Sequence, residues 1–310
     1  MRVLVLGAGG TGGYFGGRLA QSGADVTFLV RPARAAQLQR DGLRIRSPLG
    51  DADVAVRTLT ARELPDAVGE RGFDLAILSC KAYDLDAAIA DVAPAVDAGA
   101  TLMPILNGLL HYRALDARFG RERVLGGLCF LSVVKQDDGS IAHLGRPAWL
   151  TYGERDGGTS ERVEAFSALC ARAGIDHRPS AAIAREQWIK FSFLATLAAG
   201  TCLMRDSVGG IVAREGGAAF MDALHDECLA VAEAEGQPIP EQARAIARNT
   251  LVDPDSDVKA SMLRDLEAGQ RVEAAHIVGD MWRRARGAGI VAPRLQAAWV
   301  HLQCYQSTIG

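Results

Sequence analysis

Paired cysteines and long apolar runs are both missing from this sequence. The six cysteines in 310 residues are scattered and include no CxxC pair, which excludes a disulfide scaffold and predicts reduced thiols, as in a cytoplasmic protein. No uncharged stretch reaches the roughly 18 residues that a membrane-spanning helix needs. The first apolar stretch breaks into glycines at Gly7, which is not typical of a signal peptide.

The sequence also lacks a surplus of either charge. Lys and Arg number 34 against 37 Asp and Glu, so no overall positive field is present to hold nucleic acid or an anionic membrane. We therefore expect neither partner.

Hydrophobic residues make up 49% of the chain and charged residues 23%, which is enough apolar material for buried cores. A chain of this length predicts two ordinary domains.

The two halves of the chain differ in their apolar patterns. The first half alternates β-branched apolar runs with helical spacing, which predicts a parallel sheet covered by helices. The predicted strands are Val3–Leu6, Val26–Val30, Leu75–Ser79, Leu102–Leu106, Val124–Leu131 and Ala148–Tyr152. The predicted helices between them are Thr11–Gln21, Ala33–Arg40, Leu85–Ala93, Tyr112–Phe119 and Glu161–Ala173.

Beyond Pro179 the spacing of apolar residues is helical throughout. The predicted helices there are Ala184–Leu203, Gly217–Ala234, Glu241–Thr250, Val272–Ala288 and Arg294–Gln306. We therefore predict an α/β domain over residues 1–178, followed by an all-α domain over residues 179–310.

A glycine-rich turn follows the first predicted strand. Gly7, Gly9 and Gly12 form a GxGxxG pattern between that strand and a helix, with Gly10 inside it. In this frame Gly7 permits a tight turn, Gly9 lets a pyrophosphate approach the backbone, and Gly12 allows the helix to pack closely. A purely structural glycine turn is the alternative. The frame favours dinucleotide binding, so the first domain is predicted to be of the Rossmann type.

A cation stands where the second predicted strand ends. An acidic residue there would hold a ribose hydroxyl of NAD, whereas Arg31 suits the 2′-phosphate of NADP, and Arg34 follows three residues later. The alternative is that Arg31 is only a solvated loop charge. The sequence favours NADP as the cofactor.

Two further polar residues follow predicted strands. Lys81 is suited to a cofactor phosphate or ribose, and the Asn107 amide carries both a donor and an acceptor. Either residue is equally compatible with an ordinary loop position, since Asn-Gly is a common turn dipeptide.

The helical half contains a lysine and a carboxylate in apolar surroundings. Lys190 follows Trp188 near the start of an apolar helix, where an amine facing a cleft is suited to donating a proton. A lysine whose ammonium reaches solvent at the domain boundary is the alternative. Glu273 is suited to pairing with such a lysine or with a substrate hydroxyl, and equally to a first-turn position favoured by the helix dipole.

Metal and nucleophile motifs are incomplete. Glu273 and His276 form a single Glu-x-x-His, and His225 with Cys228 has no second ligand pair. No Gly-x-Ser-x-Gly elbow is present. No metal site is predicted.

Taken together, these residues resemble the ketopantoate reductase (2-dehydropantoate 2-reductase) family over nearly the whole chain. The resemblance rests on the following motifs: Gly7–Gly12, Lys81, Asn107-Gly108, Trp188-Ile-Lys190, Ser261-Met-Leu-Arg-Asp265, Glu273 and Gly289-Ile-Val-Ala-Pro293.

The resemblance implies reduction of a 2-keto acid to the 2-hydroxy acid by NADPH, in pantothenate biosynthesis. Lys190 would be the general acid. Asn107 would orient this lysine, the substrate and the cofactor, and Glu273 would hydrogen-bond the lysine or the substrate. Ser261 would contact the substrate carboxylate. Arg31, Lys81 and the glycine loop would hold NADPH, and by analogy with similar folds the helical domain favours a homodimer.

The sequence departs from this family one and two helical turns after the lysine. Family members usually carry asparagines that bind substrate there, whereas this chain has Leu194 and Ala198. The substitutions keep open a second enzyme hypothesis, a related reductase or dehydrogenase acting on a less polar keto or hydroxy acid. A non-catalytic nicotinamide-binding homologue is the third hypothesis, and the presence of Lys190 and Glu273 argues against it.

Overall fold

The computed structural model of the chain describes residues 1–309. Contacts between residues divide the chain into two compact units. The first comprises residues 1–106 and 111–183, and the second comprises residues 107–110 and the chain from Ala184 onward. Residues 107–110 thus group with the helical unit, although they lie within the range 1–178 that the sequence assigns to the first domain.

The first unit is built from strands and helices in alternation. Its strands are β1 (Arg2–Leu6), β2 (Asp25–Leu29), β3 (Leu43–Arg46), β4 (Ala52–Val54), β5 (Arg57–Leu59), β6 (Leu75–Leu78), β7 (Thr101–Pro104), β8 (Gly126–Lys135), β9 (Ile141–Gly153) and β10 (Asp176–Pro179). Its helices are α1 (Gly10–Gln21), α2 (Pro32–Asp41), α3 (Leu64–Glu70), α4 (Leu85–Asp97), α5 (His111–Phe119) and α6 (Glu161–Arg172), with 3₁₀ turns at Ala82–Asp84 and Arg121–Arg123.

A parallel sheet runs in the order β5-β2-β1-β6-β7. The residues of β6 are all buried, as are those of β1 after Arg2, so these strands are apolar on both faces. The strand order reverses between β1 and β6. The ends of these two strands therefore form the crevice in which doubly wound folds bind their ligands.

A second sheet in the same unit is formed by β3, β4, β8, β9 and β10. Its central strand β9 pairs with β8 in a long antiparallel hairpin and with β3 and β10 in parallel. The pairing of β8 with β9 shifts register between Leu131 and Val133.

Glycines allow α1 to pack closely in the first unit. A Cβ on Gly16 would lie 2.7 Å from the ring of Phe28 in β2, and a Cβ on Gly17 would lie 2.7 Å from the side chains of Leu43 and Ile45 in β3. Larger residues at these positions would push the helix away from one sheet or the other.

The second unit is helical. Its helices are α7 (Ile183–Met204), α8 (Val208–Val212), α9 (Gly217–Ala234), α10 (Glu241–Leu251), α11 (Ser261–Glu267), α12 (Val278–Gly287) and α13 (Pro293–Ile309), with a 3₁₀ turn at Ala274–His276. Helix α7 contributes many residues to the apolar core of this unit. The hydroxyls of Ser192, Thr196 and Thr201 donate to carbonyls four residues earlier, at 2.8, 2.9 and 2.6 Å. These bonds satisfy polar groups within a buried helix.

A buried carboxylate caps α13. Glu227 is 7% exposed and accepts hydrogen bonds from the backbone N–H groups of Arg294 and Leu295 at 3.1 and 2.9 Å. The Arg294 guanidinium adds a bond of 3.2 Å to the same carboxylate. The negative charge thus meets the positive end of the helix dipole, and α13 is anchored to α9.

The predicted fold class is confirmed, and α9 has the bounds predicted for it. The predicted helix Val272–Ala288 is wrong at its start. There the chain forms only the short 3₁₀ turn Ala274–His276, and regular helix begins at Val278. The break lies at Ile277, whose φ of −113° and ψ of −80° are not helical. Both Val272 and Ile277 are β-branched, which disfavours helix.

Several predicted strand bounds also differ from those observed. Strand β7 ends at Pro104 rather than at Leu106, β8 extends to Lys135, and β9 begins at Ile141 rather than at Ala148. Pairing between β8 and β9 extends both strands beyond their apolar segments. Within residues 1–309, no helix is long and apolar enough to cross a bilayer.

Candidate active site

The glycine loop has the geometry that its sequence predicts. Gly7 has a φ of +96°, which favours glycine, and its N–H donates to the Leu29 carbonyl at 3.0 Å. A Cβ on Gly12 would lie 2.1 Å from Ser79 Oγ and 2.4 Å from the Gly7 carbonyl oxygen. Gly12 therefore packs α1 directly against the ends of β1 and β6.

Gly9 differs from its neighbours because a Cβ there would meet nothing within 4 Å, whereas one on Gly10 would lie 3.0 Å from the Val133 side chain. Gly9 caps α1 without a side-chain hydrogen bond, and the first turn of α1 carries no acidic residue. Unbonded N–H groups, the positive end of the dipole and open space above Gly9 together fit the pyrophosphate of a dinucleotide.

Arg31 lies two residues beyond the end of β2, after Val30. It caps α2, its side chain is 76% exposed, and Nη2 lies 3.2 Å from the carboxylate of Asp84. The guanidinium is therefore accessible and is ion-paired with a residue that the sequence analysis did not single out.

Arg34 is turned toward the glycine loop. Its Nε and Nη2 atoms donate to the carbonyl oxygen of Ala8 at 3.2 and 3.0 Å, and Nη1 donates to Gln37 at 2.7 Å. Burial, and to a lesser degree the charge of Arg44, lower the pKa of this guanidinium. All three guanidinium nitrogens of Arg34 thus donate hydrogen bonds within the protein, and two of these bonds hold the glycine loop at Ala8.

Lys81 follows β6 and caps the 3₁₀ turn Ala82–Asp84. Its side chain is half-buried, and its carbonyl accepts the Asp84 N–H at 2.9 Å. The structure therefore places Lys81 and the glycine loop after adjacent strands of the parallel sheet, at the point where the strand order reverses.

In the second unit, Lys190 and Asn107 form a direct contact. Nζ of Lys190 donates a hydrogen bond of 2.9 Å to Oδ1 of Asn107, although the two residues are 83 positions apart in the sequence. Both side chains are half-buried. Because the bond is charge-assisted, it fixes the direction in which the ammonium group points.

The Asn107-Gly108 turn also packs against the segment that contains Glu273. Gly108 has a φ of +78°, and a Cβ there would lie 2.4 Å from the carbonyl oxygen of His276. Glu273 caps this 3₁₀ turn and is 8% exposed. The second unit thus brings together the lysine, the asparagine and the segment that begins with the glutamate.

Two side chains of α13 donate hydrogen bonds to the backbone carbonyls of Gln270 and Val272. The Tyr305 hydroxyl donates to the carbonyl of Gln270 at 2.8 Å, and Nε2 of Gln306 donates to the carbonyl of Val272 at 3.0 Å. These bonds anchor the irregular segment that leads into Glu273. The sequence gives no local signal for them, because the partners are more than thirty positions apart.

The remaining candidates lie on two helices of the second unit. Ser261 is the first residue of α11 and is half-buried. Leu194 and Ala198 follow Lys190 on α7 at four-residue spacing, so they lie along one face of the helix. Leu194 is half-buried and Ala198 is fully buried, so this face is apolar beyond the lysine.

Known proteins of one family are similar to this chain over most of its length. The family model described as ketopantoate reductase PanE/ApbA matches residues 3–157, and the model of the C-terminal part of the same family matches residues 182–306. The uncharacterized oxidoreductase YkpB of Bacillus subtilis is 38% identical, over 99% of each chain. A 2-dehydropantoate 2-reductase of Halobacterium salinarum is 29% identical, over 94% of this chain and 95% of its own.

Solved structures show the same relationship. The crystal structure of a PanE/ApbA family ketopantoate reductase from Ralstonia eutropha superposes with a TM-score of 0.88 at 25% identity, covering 100% of this chain and 99% of the other. The two family models together span most of the sequence. The chain therefore belongs to the ketopantoate reductase (PanE/ApbA) family of oxidoreductases.

Proposed function

We propose that this protein is an NADPH-dependent reductase that converts a 2-keto acid into the corresponding 2-hydroxy acid, with ketopantoate as the substrate that the family implies. The observation that carries the proposal is the hydrogen bond of 2.9 Å from Lys190 to Asn107. It presents an oriented ammonium group on a helix whose face one and two turns beyond the lysine is apolar, at Leu194 and Ala198. Reduction of a carbonyl requires such a proton donor close to the carbonyl oxygen.

Each polar residue has a separate task in this proposal. When bound, NADPH supplies the hydride that reduces the keto carbon. Lys190 donates a proton from Nζ to the carbonyl oxygen as negative charge develops on it. Asn107 holds Nζ in the direction that this transfer needs. The Glu273 carboxylate accepts a hydrogen bond from the lysine or from the new hydroxyl, and the Ser261 hydroxyl donates to the substrate carboxylate.

The choice of NADPH rests on the residues after β2 and β6. The accessible Arg31 guanidinium matches the geometry of a 2′-phosphate, and Lys81 provides a second positive charge on the other side of the glycine loop. No acidic residue directly follows β2 to accept a ribose hydroxyl in the manner of NAD-binding proteins.

A second candidate substrate is favoured by the face of α7. Leu194 and Ala198 offer no hydrogen bond to a substrate hydroxyl, and an unpaired buried polar group costs about 1–3 kcal/mol. A keto acid with an alkyl side chain avoids that cost. Initial rates with ketopantoate and with alkyl 2-keto acids separate the two substrates, and a clear preference for ketopantoate would contradict the alkyl hypothesis.

Replacement of the lysine tests the proposed chemistry. Lys190→Ala should lower kcat by at least about 100-fold, the lower range for loss of a general acid, and leave the Kd of NADPH unchanged. Lys135→Ala is the matched control, because Lys135 is exposed at the end of β8 and should tolerate the change. Retained turnover in Lys190→Ala would refute the assigned role.

Any steady NADPH oxidation by the wild type excludes a purely non-catalytic binding protein.

The proposal also includes a cytoplasmic location and a place in pantothenate biosynthesis, which follow from the family activity rather than from the geometry. Its partners are a small keto acid and, by analogy with other helical second domains, a second copy of the chain. Light scattering of the purified protein tests the homodimer, and a monomeric mass would contradict it.

A further inference from the structure

The ion pair between Arg31 and Asp84 crosses the nucleotide-binding edge of the first unit. Arg31 follows β2 and Asp84 ends the 3₁₀ turn after β6, and these two strands flank β1 on opposite sides. The contact of 3.2 Å therefore passes over the strand that carries the glycine loop. Asp84 is held there by its N–H bond to the Lys81 carbonyl at 2.9 Å.

This arrangement creates a conflict for a phosphorylated ribose. A phosphate monoester carries a charge of roughly −1.5 to −2 near neutral pH, and it would need the guanidinium edge that Asp84 now contacts. The carboxylate would also lie close to the phosphate, at a distance where like charges repel. An unphosphorylated ribose meets no such repulsion, and its hydroxyls donate readily to a carboxylate.

We propose that Asp84 is a specificity-determining residue, which competes with the cofactor 2′-phosphate for Arg31 and so limits the preference for NADPH over NADH. The inference rests on the proposed NADPH site. It adds Asp84, a residue that weakens NADPH binding, to the residues proposed to hold the cofactor. It predicts that the protein binds both cofactors, with a modest preference for the phosphorylated one.

Asp84→Asn is the informative variant because it removes the charge and keeps the shape. Asp84 caps α4 without a side-chain hydrogen bond, and asparagine is an equally good capping residue, so the fold should be retained. Asp86→Asn is the control for net charge, since Asp86 is exposed in the first turn of the same helix. The readout is the Kd of NADPH and of NADH from nicotinamide fluorescence, which does not depend on turnover.

Asp84→Asn should tighten NADPH binding by about 3- to 10-fold, as expected for removing one exposed ion pair and one repulsion. NADH binding should stay constant or weaken. Salt should reduce the gain, and the gain should vanish in an Arg31→Ala background. Asp86→Asn should change neither Kd.

Three results overturn the inference, and they are distinguishable. If Arg31→Ala weakens NADPH binding but Asp84→Asn leaves the ratio of the two Kd values unchanged, Asp84 has no role and the cofactor proposal stands. If Arg31→Ala leaves NADPH binding unchanged, the proposed 2′-phosphate site is wrong and the inference fails with it. A gain that persists fully in the Arg31→Ala background also refutes competition for Arg31.

Discussion

An added methyl group should affect different properties at two glycines of the same loop: stability at Gly12 and cofactor affinity at Gly9. At Gly12 a Cβ would overlap Ser79 Oγ at 2.1 Å and the Gly7 carbonyl oxygen at 2.4 Å. At Gly9 it would meet nothing within 4 Å, and the backbone there is extended, with φ −79° and ψ −160°. Gly12→Ala therefore tests packing, whereas Gly9→Ala tests what approaches the loop from outside.

The overlap sets the expected magnitudes. Overpacking of this kind costs about 1–3 kcal/mol, and in a unit of roughly 180 residues, such as the first unit, each 1 kcal/mol lowers Tm by about 2–4 °C, so Gly12→Ala should melt about 2–12 °C lower. Gly9→Ala should cost less than about 1 kcal/mol as a helix cap. Its methyl group would occupy the space above the loop, so the Kd of NADPH should rise at least about 10-fold, or about 1.4 kcal/mol.

Thermal unfolding without ligand and NADPH titration together form the assay. Gly72→Ala is the control, because a Cβ on Gly72 also meets nothing within 4 Å but lies outside the loop. It should change neither Tm nor Kd. Wild-type NADPH affinity in Gly9→Ala would refute dinucleotide binding at this loop, and an unchanged Tm in Gly12→Ala would refute the packing argument.

The other predictions concern the second unit. Asn107→Ala removes the Oδ1 atom that accepts a hydrogen bond from the Lys190 ammonium, so kcat should fall about 10- to 100-fold; an unchanged kcat in steady-state kinetics would contradict this. Glu227→Ala should lower the free energy of unfolding, measured in urea, by about 2–4 kcal/mol. Glu227→Gln should lower it by less, because the amide oxygen still accepts one N–H of α13. Equal losses in the two variants would argue against capping of α13 by Glu227. Burial lowers the pKa of His225 against the opposing charges of nearby aspartates. The contribution of the His225 side chain to stability is therefore present above the unfolded pKa of about 6.5 and is lost as the pH falls below it. The Tm of His225→Gln should therefore depend less on pH than the Tm of the wild type between about pH 7 and pH 5. Cys304 is the exposed cysteine and should react rapidly with a thiol reagent; Cys304→Ser should remove that fast phase, and its persistence would contradict the assignment.

Most of the parallel sheet was predictable because its strands carry local signals. The run Val3–Leu6 is apolar at every position, as a buried parallel strand must be, and the glycines after it mark both the turn and the start of α1. The helix Gly217–Ala234 was predicted with its observed bounds because its apolar spacing is regular and Gly236 follows it.

The second sheet was missed in part for a physical reason. Strand β3 (Leu43–Arg46) of this sheet, like the edge strand β5 (Arg57–Leu59) of the parallel sheet, is short and charged, and both become strands by pairing with distant partners rather than by their own composition. The irregular segment before Ala274 was missed likewise, since bonds from Gln306 support it from another helix.

The candidate site shows the same division between local and distant signals. Arg31, Lys81 and Asn107 follow strands, so their placement could be predicted from position along the sequence. The pairing of Arg31 with Asp84 could not, because it depends on how two strand ends converge. The contact of Lys190 with Asn107 was expected from the family resemblance rather than from sequence spacing.

The most direct test of the account is the initial rate of NADPH oxidation by purified wild type and Lys190→Ala, with ketopantoate and alkyl 2-keto acids as substrates. We expect steady turnover of a 2-keto acid by the wild type, with NADPH preferred over NADH, and loss of that turnover in Lys190→Ala at unchanged NADPH affinity. No turnover with any 2-keto acid, or an undiminished rate in Lys190→Ala, would contradict it.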